Sequence, residues 1–370
     1  MRPFVCLTSL LLLLLLVQLE AKDRTLIRLP EVSGYKIIKA DLHSHTVFSD
    51  GRVWPDFRVG EAWINGLDAL AITDHIEYQR HKDDMPKNLN RSYEIAKTPA
   101  AAVGLTLIKS AEITKSMPPG HINALYLDDI DLVDKENWKD AVKAAHNQGA
   151  FIFWNHPGWK GQQSDGISKW YKEHDELFNE DMLHGIEIVN NDEYYPEAHQ
   201  WCLDKNLTIL GNSDIHSTTN MQYTESPYNH RPMTWVLAKE NTASAIKEAL
   251  INQRTMVYFG DQIFGAQEYL KSLFNGCVTI ETPTLSRKIG QQFQLSNQSD
   301  LTFILVLTSA TEGISAPENV TLRPGKTVGM KVGFDKKKEF DLITLEYTVS
   351  NLKSAPDTGL PISFVININE

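Results

Sequence analysis

Between Tyr35 and Tyr258 the chain alternates short apolar or β-branched runs with stretches of helical period, a pattern that few folds accept. Strands are predicted at residues 36–39, 67–72, 105–109, 122–126, 150–154, 185–189, 207–210 and 233–237. Helices are expected between them. Residues 55–65 carry Pro55 at the start and Gly66 just past the end. Residues 138–148 place Trp138, Ala141, Val142 and Ala145 on one face and stop at Gly149, and residues 242–253 do the same with Ile246, Ala249 and Leu250. About seven such units predict an α/β fold whose parallel strands close into a barrel.

Nearly every side chain suited to hold a metal falls just after one of these strands. In Asp41-Leu42-His43-Ser44-His45 an extended segment turns His43 and His45 to the same side, and Asp50 follows in the turn-forming Ser49-Asp50-Gly51. His75 follows the second strand, Glu112 the third, His156 the fifth, and Asp214 and His216 the seventh; His121 opens the fourth. In a parallel barrel these positions converge at the C-terminal mouth, where active sites are built. Six of the twelve histidines are used in this way. The others, His81, His146, His174, His184, His199 and His230, sit in helical or polar stretches and read as ordinary packed or surface residues. Mixed imidazole and carboxylate ligands suit Mn, Zn or Fe without choosing among them.

From about Asp261 the texture changes. Strict alternation takes over in Val328, Met330, Val332, Phe334; in Ile343, Leu345, Tyr347, Val349; and in Ile362, Phe364, Ile366, Ile368. These predict half-buried strands of a small all-β, sandwich-like domain. The expected division is a lead-in over residues 22–35, a barrel over 36–265 and a β domain over 266–370.

Composition bounds the setting. Arg2 precedes an apolar run over residues 10–17 that is short for a bilayer, and Ala21 offers a small residue for cleavage, so residues 1–21 read as a signal peptide. The mature chain is expected to be exported, periplasmic or secreted, with no membrane span. Cys202 and Cys277 fall in different expected domains and read as buried thiols. A formal charge of −11 argues against a protein that tracks a nucleic-acid polymer through its phosphates. An anionic substrate would need local positive charge, which metal ions supply.

Read together and in order, Asp41-Leu42-His43-Ser44-His45 with Ser49-Asp50-Gly51, Ile72-Thr73-Asp74-His75, Glu112, Asn155-His156-Pro157 and Ser213-Asp214-Ile215-His216 resemble the PHP superfamily of metal-dependent phosphoesterases, named for polymerase and histidinol phosphatase, over residues 36–260. His75-Ile76-Glu77-Tyr78, with a β domain behind the barrel, looks most like the exported bacterial phosphodiesterases of the Sb-PDE type. The resemblance implies a distorted (β/α)7 barrel holding two or three divalent ions. By it, His43, His45, Glu112 and Asp214 would hold the first; Glu112 would bridge to a second held by His121 and His156; Asp50, His75 and His216 would hold a third.

Such a site is expected to hydrolyse small phosphodiesters through a hydroxide shared by two ions. Asp214 could take a proton, His81 is a candidate for the donor, and Arg80, Lys82, Lys160 and Arg231 are candidates to bind the phosphate. The alternatives are a phosphomonoesterase, a metallohydrolase acting on amides or lactones, and a metal-storing binding protein. The oligomeric state is not legible.

Overall fold

The computed structural model describes residues 24–85, 87–223, 230–281, 284–286 and 292–369; the expected signal peptide lies outside them. Eleven strands build the first part: β1 (Lys36–Asp41), β2 (Ala69–Ile72), β3 (Thr106–Ile113), β4 (Ile122–Leu125), β5 (Phe151–Trp154), β6 (Gly185–Asn190), β7 (Glu193–Tyr194), β8 (Thr208–Asn212), β9 (Met233–Ala238), β10 (Thr255–Phe259) and β11 (Gln262–Gly265). The helices are α1 (Pro55–Ile64), α2 (Arg91–Val103), α3 (Trp138–His146), α4 (Lys172–Asn179), α5 (Pro196–Lys205), α6 (Thr219–Tyr223), α7 (Ala243–Ile251) and α8 (Gln267–Cys277). Local chemistry sets several ends. The Asn137 side chain accepts from the Lys139 and Asp140 N–H groups at the start of α3, and Thr242 accepts from Ala245 N–H at the start of α7.

The sheet is mixed, where uniform parallel pairing was expected. β1, β2 and β3 are parallel, as are β5, β6 and β8, but β4 runs antiparallel between β3 and β5. The link between β3 and β4, residues 114–121, contains no helix and is too short for a crossover, so the chain returns as a hairpin. β9 lies antiparallel to β1. The barrel closes beyond the ends of β1 and β8, where Ser44 and Ile215 bridge in parallel and His45 N–H donates to Ile215 O at 3.0 Å. Strands such as β2, β4 and β5 are buried throughout, as expected of a sheet covered on both faces.

The C-terminal part is not all β from residue 266. Leu270, Leu273, Phe274 and Cys277 fall on one helical face, and all four are buried in α8. Beyond α8, the strands Val278–Glu281, Gln292–Asn297 and Thr327–Lys331 form one sheet, and Phe303–Ala310, Leu342–Ala355 and Thr358–Asn369 lie in another. The expected alternation puts Ile343, Leu345, Tyr347, Val349, Phe364 and Ile366 inside, with the Phe293 and Phe364 rings 6.1 Å apart across the sandwich. The second sheet continues the barrel's own. β11 pairs in parallel with Leu342–Ala355 through Ile263 to Leu352, and one apolar cluster runs from Leu70 and Trp235 to Leu345 and Phe364.

Candidate metal centre

The reversed direction of β4 explains how His121, which precedes its strand, meets residues that follow theirs. The N-terminal end of β4 lies level with the C-terminal ends of its neighbours. Glu112 lies inside β3, within its pairing with β4, and forms an isolated bridge with His75. All nine ligand candidates are brought into one cluster: His43, His45, Asp50, His75, Glu112, His121, His156, Asp214 and His216.

Its innermost part is four donor atoms. His43 Nε2 lies 3.1 Å from His45 Nε2, 3.3 Å from Glu112 Oε2 and 3.2 Å from Asp214 Oδ1. His45 Nε2 lies 3.3 Å from Glu112 Oε2 and 3.0 Å from Asp214 Oδ1. Donors about 2.1 Å from one point at tetrahedral angles stand about 3.4 Å apart, so these five separations suit a single divalent ion. The other oxygen of Glu112 turns elsewhere. Its Oε1 is 2.7 Å from His121 Nδ1 and 3.7 Å from His156 Nε2. A third grouping joins Asp50 Oδ1 to His216 Nε2 at 3.1 Å and His75 Nε2 at 3.5 Å, with His45 close by. His75 reaches inward too, its Nδ1 lying 3.0 Å from Glu112 Oε2 and 2.6 Å from Thr114 Oγ1.

The donor chemistry fits metal ions. Asp50 Oδ1, Glu112 Oε1, His121 Nδ1 and Asp214 Oδ1 are buried without a hydrogen bond, an expensive arrangement for polar atoms that have no other use. Burial opposes charge throughout, yet the neighbouring imidazoles outweigh it and hold Glu112 and Asp214 well below the usual carboxylate range, and Asp50 at about 2. Burial likewise pulls the His216 imidazole down, while Asp50 and Asp214 beside it raise it to about 9. Anionic carboxylates among crowded imidazoles are a setting in which bound cations replace protons.

A solved structure from Bacteroides vulgatus, described as a two-domain protein containing a predicted PHP-like metal-dependent phosphoesterase, matches with a TM-score of 0.89 at 42% sequence identity, covering 94% of this chain and 100% of that one. This chain belongs to the PHP-like metal-dependent phosphoesterases. A structure assigned as a metal-dependent phosphoesterase from Bifidobacterium adolescentis is 17% identical over 59% of the chain and 97% of its own, with a TM-score of 0.41. An uncharacterized protein of Methanocaldococcus jannaschii is 37% identical over 60 residues, and the chain spans 28% of that curated relative's length. The family model of an Ig-like domain matches residues 278–365. No helix among the described residues of this PHP-like protein is long and apolar enough to cross a membrane.

Around the PHP-type cluster, several supporting residues were not singled out from sequence. Glu187, fully buried in β6, accepts from His43 Nδ1 at 2.9 Å, His156 N–H at 2.9 Å, Asn190 Nδ2 at 2.8 Å and Asn212 Nδ2 at 2.9 Å. Its signal was a carboxylate inside the apolar run Gly185-Ile186-Glu187-Ile188-Val189. Arg58, fully buried on α1, donates to the carbonyls of His45, Ile215, His216 and Ser217 and so ties two ligand segments together. His156 and Asp214 have φ of 29° and 50°, a left-handed conformation costly for residues with a Cβ. Each is pinned, His156 N–H by Glu187 and Asp214 N–H by His43 O at 3.0 Å.

Four of the other sequence candidates fall elsewhere. Arg231 is 1% exposed, and its Nη2 donates to Asp41 Oδ2 and Ser213 Oγ beneath the cluster, because β9 runs antiparallel to β1 and carries it down beside the end of that strand. Its guanidinium is buried against Asp41 and Ser213. His81 and Lys82 line a small cavity with Val47, Phe48, Asp74 and Gln79, and none of the nine ligand candidates lines it. Arg80 is exposed and engages Ser49 O through its backbone N–H. Lys160, four residues after His156, is exposed.

Proposed function

We propose that the protein hydrolyses small phosphodiesters, with phosphomonoesters as poorer substrates. The observation that carries this reading is Glu112, whose two oxygens face two separate groups of imidazoles, His43 with His45 on one side and His121 with His156 on the other. Such a carboxylate suits a pair of ions, and the Asp50, His75 and His216 group suits a third; manganese, zinc and iron are the candidates. When bound, divalent ions at such a site neutralise phosphate charge and make a nucleophile of water near neutral pH. The protein's own contribution is placement. Asp214 commits Oδ1 to His43 and His45 while Oδ2 faces His156 at 4.0 Å, so Oδ2 is the carboxylate oxygen free to accept a proton from the attacking water. His81, which lines a neighbouring cavity with Asp74 and Gln79, is not assigned the role of proton donor to the leaving group in this reading.

A diester is favoured because the mouth offers few cations of its own. Arg231 is sequestered, and Arg80, Lys82 and Lys160 are solvated, so a monoester dianion gains little beyond what the ions supply. The resemblance of His75-Ile76-Glu77-Tyr78 to the Sb-PDE type points the same way. The apolar run behind Arg2 supports export, which N-terminal sequencing of the mature protein would test by finding a start near Lys22.

The deciding experiment is elemental analysis of the purified protein, followed by bis(p-nitrophenyl) phosphate, p-nitrophenyl phosphate and p-nitrophenyl acetate with each metal. The expected result is two or three ions per chain and the highest kcat/KM on the diester. A tenfold preference for the monoester, about 1.4 kcal/mol of transition-state stabilisation, would make it a phosphomonoesterase. Preference for the acetate would make it a carboxylic-ester hydrolase.

A further inference from the structure

We infer that Trp159 and Tyr78 form the recognition walls of the mouth, and that the preferred ester carries a planar aromatic substituent. This rests on reading the cluster as a phosphate-ester site. The Trp159 ring lies 5.7 Å from that of His121 and 5.3 Å from that of His156, and Tyr78 lies 6.2 Å from His75. His75 and His121 are themselves 5.9 Å apart, so the two aromatics flank one part of the cluster. Both stay open to solvent, Trp159 at 44% and Tyr78 at 52% exposure. Exposed aromatic faces at a mouth otherwise lined with ligands offer stacking surface and little charge.

Trp159 is placed by its neighbours. A Cβ at Gly161 would come within 2.4 Å of its Cζ2, so only glycine at 161 lets the indole lie where it does. Its carbonyl accepts from Gln162 and Gln163 N–H at 2.9 and 2.8 Å, and its own N–H donates to His156 O at 2.9 Å. The turn that carries His156 into the cluster thus also sets the indole. No other exposed aromatic makes a ring contact with any of the ligand histidines among the described residues.

The test measures binding without turnover. Calorimetric titration of the manganese-loaded full chain with phenylphosphonate and with methylphosphonate should show about tenfold tighter binding of the phenyl compound. In Trp159→Ala that ratio should fall below about threefold, in Tyr78→Ala it should fall partway, and Trp159→Phe should keep most of it. Manganese content is measured for each variant. If Trp159→Ala loses the metal, the Trp159→Phe and Tyr78→Ala ratios decide. An unchanged ratio in the metal-loaded alanine variants overturns the inference. Selective phenylphosphonate binding by a protein inert toward all phosphate esters would instead overturn the proposed function and leave the aromatic walls in place.

Discussion

Glu187 Oε1 lies 2.9 Å from Nδ1 of His43, so a neutral His43 that donates there presents Nε2 as a lone pair toward Glu112 and Asp214. Glu187→Gln keeps the shape but weakens the acceptor, and it also disturbs the bond that holds His156. Metal affinity should drop by about 10- to 100-fold. Competition with a metal chelator measures this, and an unchanged affinity would show that Glu187 only fills space.

Glu112→Gln should cost more activity than any other single ligand replacement, because one side chain serves both groups of imidazoles and the amide removes the charge that those imidazoles hold against burial. His81→Ala should cost far less. Steady-state rates on bis(p-nitrophenyl) phosphate compare them, and the reverse order would restore His81 to the reaction.

Arg231→Ala should lower stability by about 3 kcal/mol, since it leaves Asp41 buried without its cation. Urea denaturation reads the loss directly. Were Arg231 a phosphate contact, KM would rise and the denaturation midpoint would stay in place.

His174 and His199 are 0% and 1% exposed, and burial holds both imidazoles down at about 4 against an ordinary value of 6.5. Above pH 6.5 neither state binds a proton there, so neither residue affects stability. As pH falls from 6.5 toward 4 the unfolded chain takes up protons that the fold refuses, and stability is lost by about 3 kcal/mol per histidine. Imidazole NMR titration should find both neutral at pH 5.5. A midpoint near 6.5 for either would refute this.

The paired edge between β11 and Leu342–Ala355, together with the apolar cluster common to both parts, predicts one cooperative thermal transition. Calorimetry should show a single peak. A barrel ending at Tyr258 would strip β11 from β10, bare Met256 and is expected to aggregate, whereas a soluble truncation that keeps its metals would place a true domain boundary near residue 265.

The eight expected strands were legible because each is a short apolar run bounded by turn residues, and the ligands stood out because polar groups with lone pairs followed those runs so regularly. Strand direction was not legible. Periodicity reads the same along either sense of a strand, and only the length of residues 114–121 hinted that β4 turns back. Arg58 and Glu187 were hidden for a related reason. A charged residue inside an apolar stretch declares that it has a partner, but the partner comes from another strand. Helix α8 was missed because it spans only about three turns, with its apolar face at Leu270, Leu273, Phe274 and Cys277, and leads straight into alternating strands.

Because β4 returns as a hairpin, Glu112 and His121 belong to one local unit, whereas His43 and Asp214 meet only when the two ends of the barrel sequence are brought together. The entropy of closing a loop falls almost wholly on the second pair. The cluster is therefore asymmetric in time as well as in space. Its Glu112 and His121 half can exist on the hairpin while the chain is still searching, and the His43 and Asp214 half comes into being only at the moment the barrel shuts.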